Sequence, residues 1–291
     1  MLFKGSGVAL VTPFDENGIN YHVLKELIEW HIAEGTKALI IMGTTGEGAT
    51  LRQSEKLDLF EKALSYAKGR IVMIANTGTN DTQASIELSL DAQLMGYDGL
   101  LMVCPYYNKP TQRGLIAHFT TIADAVNLPI ILYNVPGRTA VNLSAESCIY
   151  LSSHKNIVGV KEASHDLNQI HEILEHCDKD FYVYSGNDDQ NLEIMKMGGM
   201  GIISVTANCV PKRCAELCDA YFNHDIKRAE EIQLSLAALN DVLFIESNPV
   251  PIKSALNMMG KNVGPCRLPL VSLESKNRES LILVLKQEGL I

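Results

Sequence analysis

What most limits the fold of this chain is an alternation that runs from residue 7 to residue 222. Apolar, β-rich runs at 7–13, 37–43, 71–76, 99–104, 129–134, 157–161, 181–185 and 201–207 are each followed by a longer helical pattern. Those helical stretches fall at 21–34, 54–67, 81–95, 111–126, 144–152, 167–176, 190–197 and 211–222. The short runs show little apolar–polar alternation, as expected of strands buried on both faces in a parallel sheet. Eight strand-then-helix units at fairly even spacing predict an α/β fold, a closed (β/α)8 TIM barrel rather than an open sheet. Ser54, Asp81 and Ser144 stand at predicted helix starts, where a side-chain oxygen can accept from the free N–H groups of the first turn. After the eighth unit only helices follow, at 225–242, 249–259 and 273–286. The chain is therefore predicted to divide into a barrel domain, residues 1–224, and a C-terminal helical extension, residues 225–291.

Composition narrows the partners. With 46% hydrophobic residues, the 291-residue chain can bury a full core. A formal net charge of −9 and a pI near 5.4 leave no basic field for nucleic acid or an anionic membrane surface, so small molecules are the expected partners. The first residues reach Asp15 and Glu16 too soon for a signal peptide, and no apolar run approaches the length of a membrane span. The expected location is the cytoplasm. Seven scattered cysteines form no disulfide framework. Cys209, Cys214 and Cys218 cluster without a metal-binding spacing and are read as buried thiols. His165, His171 and His176 are read as solvated helix residues.

In a barrel of this kind the reactive groups sit at the C-terminal ends of the strands, so the polar residues there belong together. Run 157–161 delivers Lys161 at its end. Burial penalises an ammonium ion, and a lysine with more neutral amine can attack a carbonyl carbon to form a Schiff base. The plainer alternative is a lysine that reaches solvent or pairs with Glu162. Gly43-Thr44-Thr45-Gly46 offers backbone N–H groups and two hydroxyls to a small carboxylate, or is an ordinary glycine turn. Tyr133 can give and take a proton beside an amine if Thr44 and Tyr107 relay it; simple packing is the alternative for each tyrosine. Arg138 presents a rigid fork suited to a second carboxylate, unless it is only a surface arginine. No loop has a Walker ending or the dinucleotide fingerprint, and Asp188 and Asp189 follow the seventh strand, where phosphosugar enzymes bind phosphate.

Four motifs, GTTGE at 43–47, PYYNKP at 105–110, YNVPGRT at 133–139 and VGVKEAS at 158–164, each fall at a predicted strand end. In this order they resemble the pyruvate-dependent class I aldolases, the family that includes the dihydrodipicolinate synthases and the N-acetylneuraminate lyases. The likeness covers essentially the whole chain. The paired threonines, the double tyrosine and Arg138 are similar to the synthase branch. The resemblance implies condensation of pyruvate with L-aspartate 4-semialdehyde to 4-hydroxy-tetrahydrodipicolinate, in lysine and diaminopimelate biosynthesis. It implies that Lys161 forms the pyruvate imine while Tyr133, Thr44 and Tyr107 move protons. Thr44 and Thr45 then hold the pyruvate carboxylate, Arg138 holds that of the semialdehyde, and backbone at Gly186 and Ile203 lines the pocket. Tyr107 is implied to reach a neighbouring subunit's site, which makes a dimer the minimum unit and a tetramer the expected homo-oligomer. No metal, nucleotide or other cofactor is implied. Another pyruvate aldolase is the nearest alternative, which Arg138 disfavours, and a non-catalytic metabolite-binding barrel is the more distant one.

Members of the family that lysine inhibits typically carry histidines where this chain has Gln53 and Lys56, and a glutamate where it has Ala84, while Asn80 and Tyr106 are retained. A like charge gained and an acid lost predict weak or absent inhibition by lysine.

Overall fold

The computed structural model describes residues 1–291. Its eight barrel strands are β1 (Gly5–Ala9), β2 (Ala38–Ile41), β3 (Val72–Asn76), β4 (Gly99–Val103), β5 (Ile130–Asn134), β6 (Ile157–Glu162), β7 (Tyr182–Ser185) and β8 (Gly201–Ser204). They close into a barrel in sequence order, and a helix follows each of them. This is the expected (β/α)8 barrel, with further helices at Ile226–Ser235, Ala237–Val242, Val250–Met258 and Ser275–Gln287. Every residue of β1, β2, β5 and β8 is buried, which is why these runs read as apolar throughout rather than alternating.

By backbone contacts the chain forms two units. One holds Met1–Lys4 and Val72–Ile203; the other holds Gly5–Ile71 and Ser204–Ile291. In the first, β5 and β6 are in parallel register with Tyr133 opposite Lys161 and Asn134 opposite Glu162. β6 and β7 place Lys161 opposite Tyr184 and Glu162 opposite Ser185. In the second, β1 stops at Ala9, earlier than the predicted end at residue 13. The reason is Asn208, whose side chain accepts from the Val11 N–H at 3.1 Å and donates to the Ala9 carbonyl at 2.9 Å, replacing ladder partners with an amide. Asn208 lies in a 3-10 turn, Thr206–Asn208, that ends the predicted run 201–207 early.

Local chemistry accounts for most helix boundaries. Asp81 accepts from the N–H groups of Gln83 and Ala84, and Ser144 from that of Ser147, as predicted for N-caps. Ser54 does not cap: the helix Gln53–Ala67 starts a residue earlier, where the Arg52 N–H donates to the Glu55 carboxylate at 2.9 Å. The predicted helix 225–242 is two helices, because the Leu236 N–H divides its bond between the carbonyls of Ile232 and Gln233. His165 precedes the helix Leu167–His176 with a left-handed φ of 63° and accepts from the Asn187 amide, so it is not a helix residue; His171 and His176 are, and are exposed. All seven cysteines are free, with Cys209, Cys214 and Cys218 buried. No helix is long and apolar enough to cross a membrane.

Candidate active site

Lys161 is the fifth residue of β6 and only 4% exposed. Its Nζ lies 4.4 Å from the centre of the Tyr133 ring, where the negative face of the aromatic system favours a cation. Tyr133 is the register partner across the ladder, so the contact follows directly from strand pairing. Both plainer fates of Lys161 are ruled out. It does not reach solvent, and Glu162, the next residue on the strand, faces the opposite side.

Room for the lysine stem comes from Gly186, just past β7. A Cβ there would stand 2.9 Å from Lys161 Cε, from Ala163 Cβ and from the Glu162 carbonyl oxygen. Ile203 on β8 is fully buried. Arg138 is exposed on a one-turn helix, Pro136–Thr139, that ends at Ala140 in the left-handed region. Tyr107 is 88% exposed with φ at 74°, so within a single chain it stands out in solvent rather than beside Lys161 and Tyr133.

On the outer face of the same strands lies a buried polar cluster that sequence reasoning missed. Glu162 accepts from Asn134 Nδ2 at 2.8 Å and Gln169 Nε2 at 3.2 Å on one oxygen, and from the Ser164 hydroxyl at 2.6 Å and N–H at 3.2 Å on the other. Burial pushes its pKa up, and these donors oppose the shift. The signal was adjacency: Asn134 follows Tyr133 and Glu162 follows Lys161, so strand parity puts both behind the reactive pair.

The GTTGE loop belongs to the other unit. Thr45 is buried and its hydroxyl accepts from Asn248 Nδ2 at 3.0 Å; Thr44 is half-buried. Two of the loop's N–H groups are already used, Glu47 donating to the Thr44 carbonyl and Gly48 to that of Gly43. Those of Thr44 and Thr45 make no bond in the loop, which leaves the threonine half of the predicted cradle open. Gly48 has a steric role instead, since a Cβ there would come within 2.4 Å of the Met42 carbonyl oxygen. Below the loop Glu47 pairs with Lys253 at 2.8 Å, both buried, and its second oxygen accepts from the Arg267 N–H. Lys253 also donates to the carbonyls of Thr12 and Pro265, so this buried charge pair is fully bonded. Nothing in the sequence marks Asn248 or Lys253, which lie over 200 residues from Thr45 and Glu47.

The sequence pattern of the dihydrodipicolinate synthetase family matches residues 2–288. The chain belongs to this family. It is 54% identical over 291 residues to the 4-hydroxy-tetrahydrodipicolinate synthase of Thermoanaerobacter sp. (strain X514), covering 100% of this chain and 98% of that one. The dihydrodipicolinate synthase of Thermotoga maritima superposes with a TM-score of 0.98 at 40% identity, over 100% of both chains. The chloride-inhibited dihydrodipicolinate synthase of Acinetobacter baumannii, solved in complex with pyruvate, gives 0.97 at 43% identity over 99% of both. The family is the one to which the four motifs pointed, on its synthase side. No group of three His, Cys, Asp or Glu side chains is arranged to hold a metal ion.

Proposed function

We propose that this chain condenses pyruvate with L-aspartate 4-semialdehyde through a lysine Schiff base, giving 4-hydroxy-tetrahydrodipicolinate for lysine and diaminopimelate biosynthesis. The observation that carries the reading is the buried Lys161 amine at the end of β6, held over Tyr133 in a chain of this family. The Lys161 amine adds to the pyruvate ketone carbon and water leaves. The resulting iminium draws electrons, a methyl proton is lost, and the enamine carbon attacks the aldehyde. The amine of the semialdehyde then closes on the imine carbon and releases Lys161. The pyruvate imine is itself the electron sink, so no metal or organic cofactor is needed.

Tyr133 carries protons into and out of these steps, its hydroxyl serving as both donor and acceptor. Thr44 and Tyr107 complete the relay, and Thr44 and Thr45 hold the pyruvate carboxylate through their hydroxyls and open N–H groups. Arg138 binds the carboxylate of the semialdehyde in bidentate fashion. Gly186 and Ile203 line the pocket with backbone. Residues 1–224 are the catalytic barrel, and the extension 225–291 steadies Thr45 through Asn248. Exposure of Tyr107 on a left-handed backbone supports its use by a neighbouring copy, so a dimer is the smallest active unit and a tetramer the larger assembly. The enzyme works in the cytoplasm.

The test is an assay of the purified protein with pyruvate and aspartate semialdehyde, read by formation of the six-membered ring product. Turnover is expected. Cleavage of N-acetylneuraminate or a 2-keto-3-deoxy acid, without condensation of the semialdehyde, would overturn the reading.

A further inference from the structure

β5 and β6 carry two consecutive register pairs, Tyr133 with Lys161 and Asn134 with Glu162. Successive side chains on a strand point to opposite faces, so the two pairs stand back to back. Asn134 and Glu162 are fully buried and joined by a 2.8 Å bond from amide to carboxylate. All contacts to the Glu162 carboxylate come from donors, namely Asn134, Gln169 and Ser164, which suits an anion.

Asn134 also closes a loop. Its Oδ1 accepts from the Leu143 N–H at 3.0 Å, and its Nδ2 reaches Asn142 Oδ1 at 2.7 Å. Asn142 in turn donates to Gln169 Oε1 at 2.7 Å, which returns the network to Glu162. The segment between residues 134 and 142 is the one that carries Arg138. One network, buried at Asn134 and Glu162 and exposed at Asn142, thus stands next in sequence to Lys161 and Tyr133 and at the base of the Arg138 loop.

We propose that Glu162 and Asn134 are positioning residues, whose bond on the outer face sets Lys161 against Tyr133 and seats the loop that bears Arg138. The inference rests on the Schiff-base reading. Holding two strands together needs no charge, since apolar side chains on an outer face do so without the cost of a buried carboxylate. What the charged clamp adds is a single permitted register, and a displacement of about 1 Å between reacting groups costs about 100-fold in rate.

Glu162→Gln keeps the side-chain volume and puts an NH2 among donors. It is expected to lower kcat by about 100-fold and to slow borohydride-trapped imine formation in proportion, with the KM for pyruvate little changed. A merely structural role would lower the thermal midpoint and the amount of active protein without this split. Asn142→Ala, at the exposed end, opens only the loop side. It is expected to raise the KM for aspartate semialdehyde several-fold and to leave pyruvate trapping at the wild-type rate. If wild-type protein traps no pyruvate on Lys161, the Schiff-base reading itself fails. If wild type traps and folded Glu162→Gln matches it in trapping rate and kcat, the positioning role is overturned. Should Glu162→Gln not fold, Asn142→Ala decides, and an unchanged semialdehyde KM overturns the proposal.

Discussion

Lys161 and Tyr133 are register partners on neighbouring strands, and the amine of one lies 4.4 Å from the ring centre of the other. The contact is with the face of the ring, so the phenol oxygen is a separate functional element from the surface that shelters the amine.

Tyr133→Phe separates the two roles. It keeps the ring and the packing and removes only the hydroxyl. Folding is expected to stay near wild type while kcat falls by about 10²- to 10⁴-fold, the range for losing one general acid–base group. Steady-state kinetics beside a thermal melt checks this; a kcat within a few-fold of wild type would mean that the proton path runs elsewhere.

Gly186→Ala tests the space kept for the lysine stem. The added methyl meets Lys161 Cε, Ala163 Cβ and the Glu162 carbonyl oxygen, each at 2.9 Å, and the last of these is backbone that cannot swing aside. Overpacking of this kind costs about 1–3 kcal/mol. A lower thermal midpoint together with a loss of imine trapping is expected, because the stem nearest the clash belongs to the reacting residue.

His31 governs part of the acid response. It is buried in the helix Tyr21–Ala33, with Nδ1 3.0 Å from the Thr36 hydroxyl and Nε2 without a partner. Burial, followed by the nearby charge of Lys261, pushes its pKa from 6.5 down to about 3. The unfolded chain takes up this proton near pH 6.5 while the folded chain resists until about 3, so stability is unaffected above 6.5 and falls as the pH drops through that window. The slope for one proton is about 1.4 kcal/mol per pH unit. Urea titrations of wild type and His31→Gln at fixed protein concentration are expected to show this component missing from the variant. Parallel pH profiles would contradict it.

Lysine feedback is expected to be weak. Gln53 opens its helix and is exposed, Lys56 is half-buried one turn on, and Ala84 sits in the first turn of the helix Thr82–Met95. The resemblance implies that these are effector positions, where Lys56 would bring a like charge to a cationic amino acid and Ala84 would bring no carboxylate. A rate titration with millimolar L-lysine at moderate substrate checks this; halving of the rate would contradict it.

The barrel was legible because strand burial and helix amphipathicity are local patterns, and eight repeats of one pattern leave few other closures. The meeting of Lys161 with Tyr133 was legible because both stand at strand ends, where such a barrel carries its reactive groups. Less legible were features set by distant partners. Asn208 ends β1 from nearly 200 residues away, and Lys253 holds the GTTGE loop from the helix Val250–Met258. The Ser54 cap failed because the helix already starts at Gln53, with Glu55 accepting from the Arg52 N–H, so Ser54 lies inside the first turn. The buried side of the site was hidden for a different reason: Asn134 and Glu162 sat inside quoted motifs, yet their neighbours drew the functional reading.

Lys161 as the Schiff-base nucleophile is put to the test by borohydride reduction in the presence of pyruvate. After digestion and mass spectrometry, the peptide holding Lys161 is expected to carry one reduced pyruvate unit, with no adduct in Lys161→Ala. Unmodified Lys161 in active protein, or an adduct on another lysine, would contradict the account.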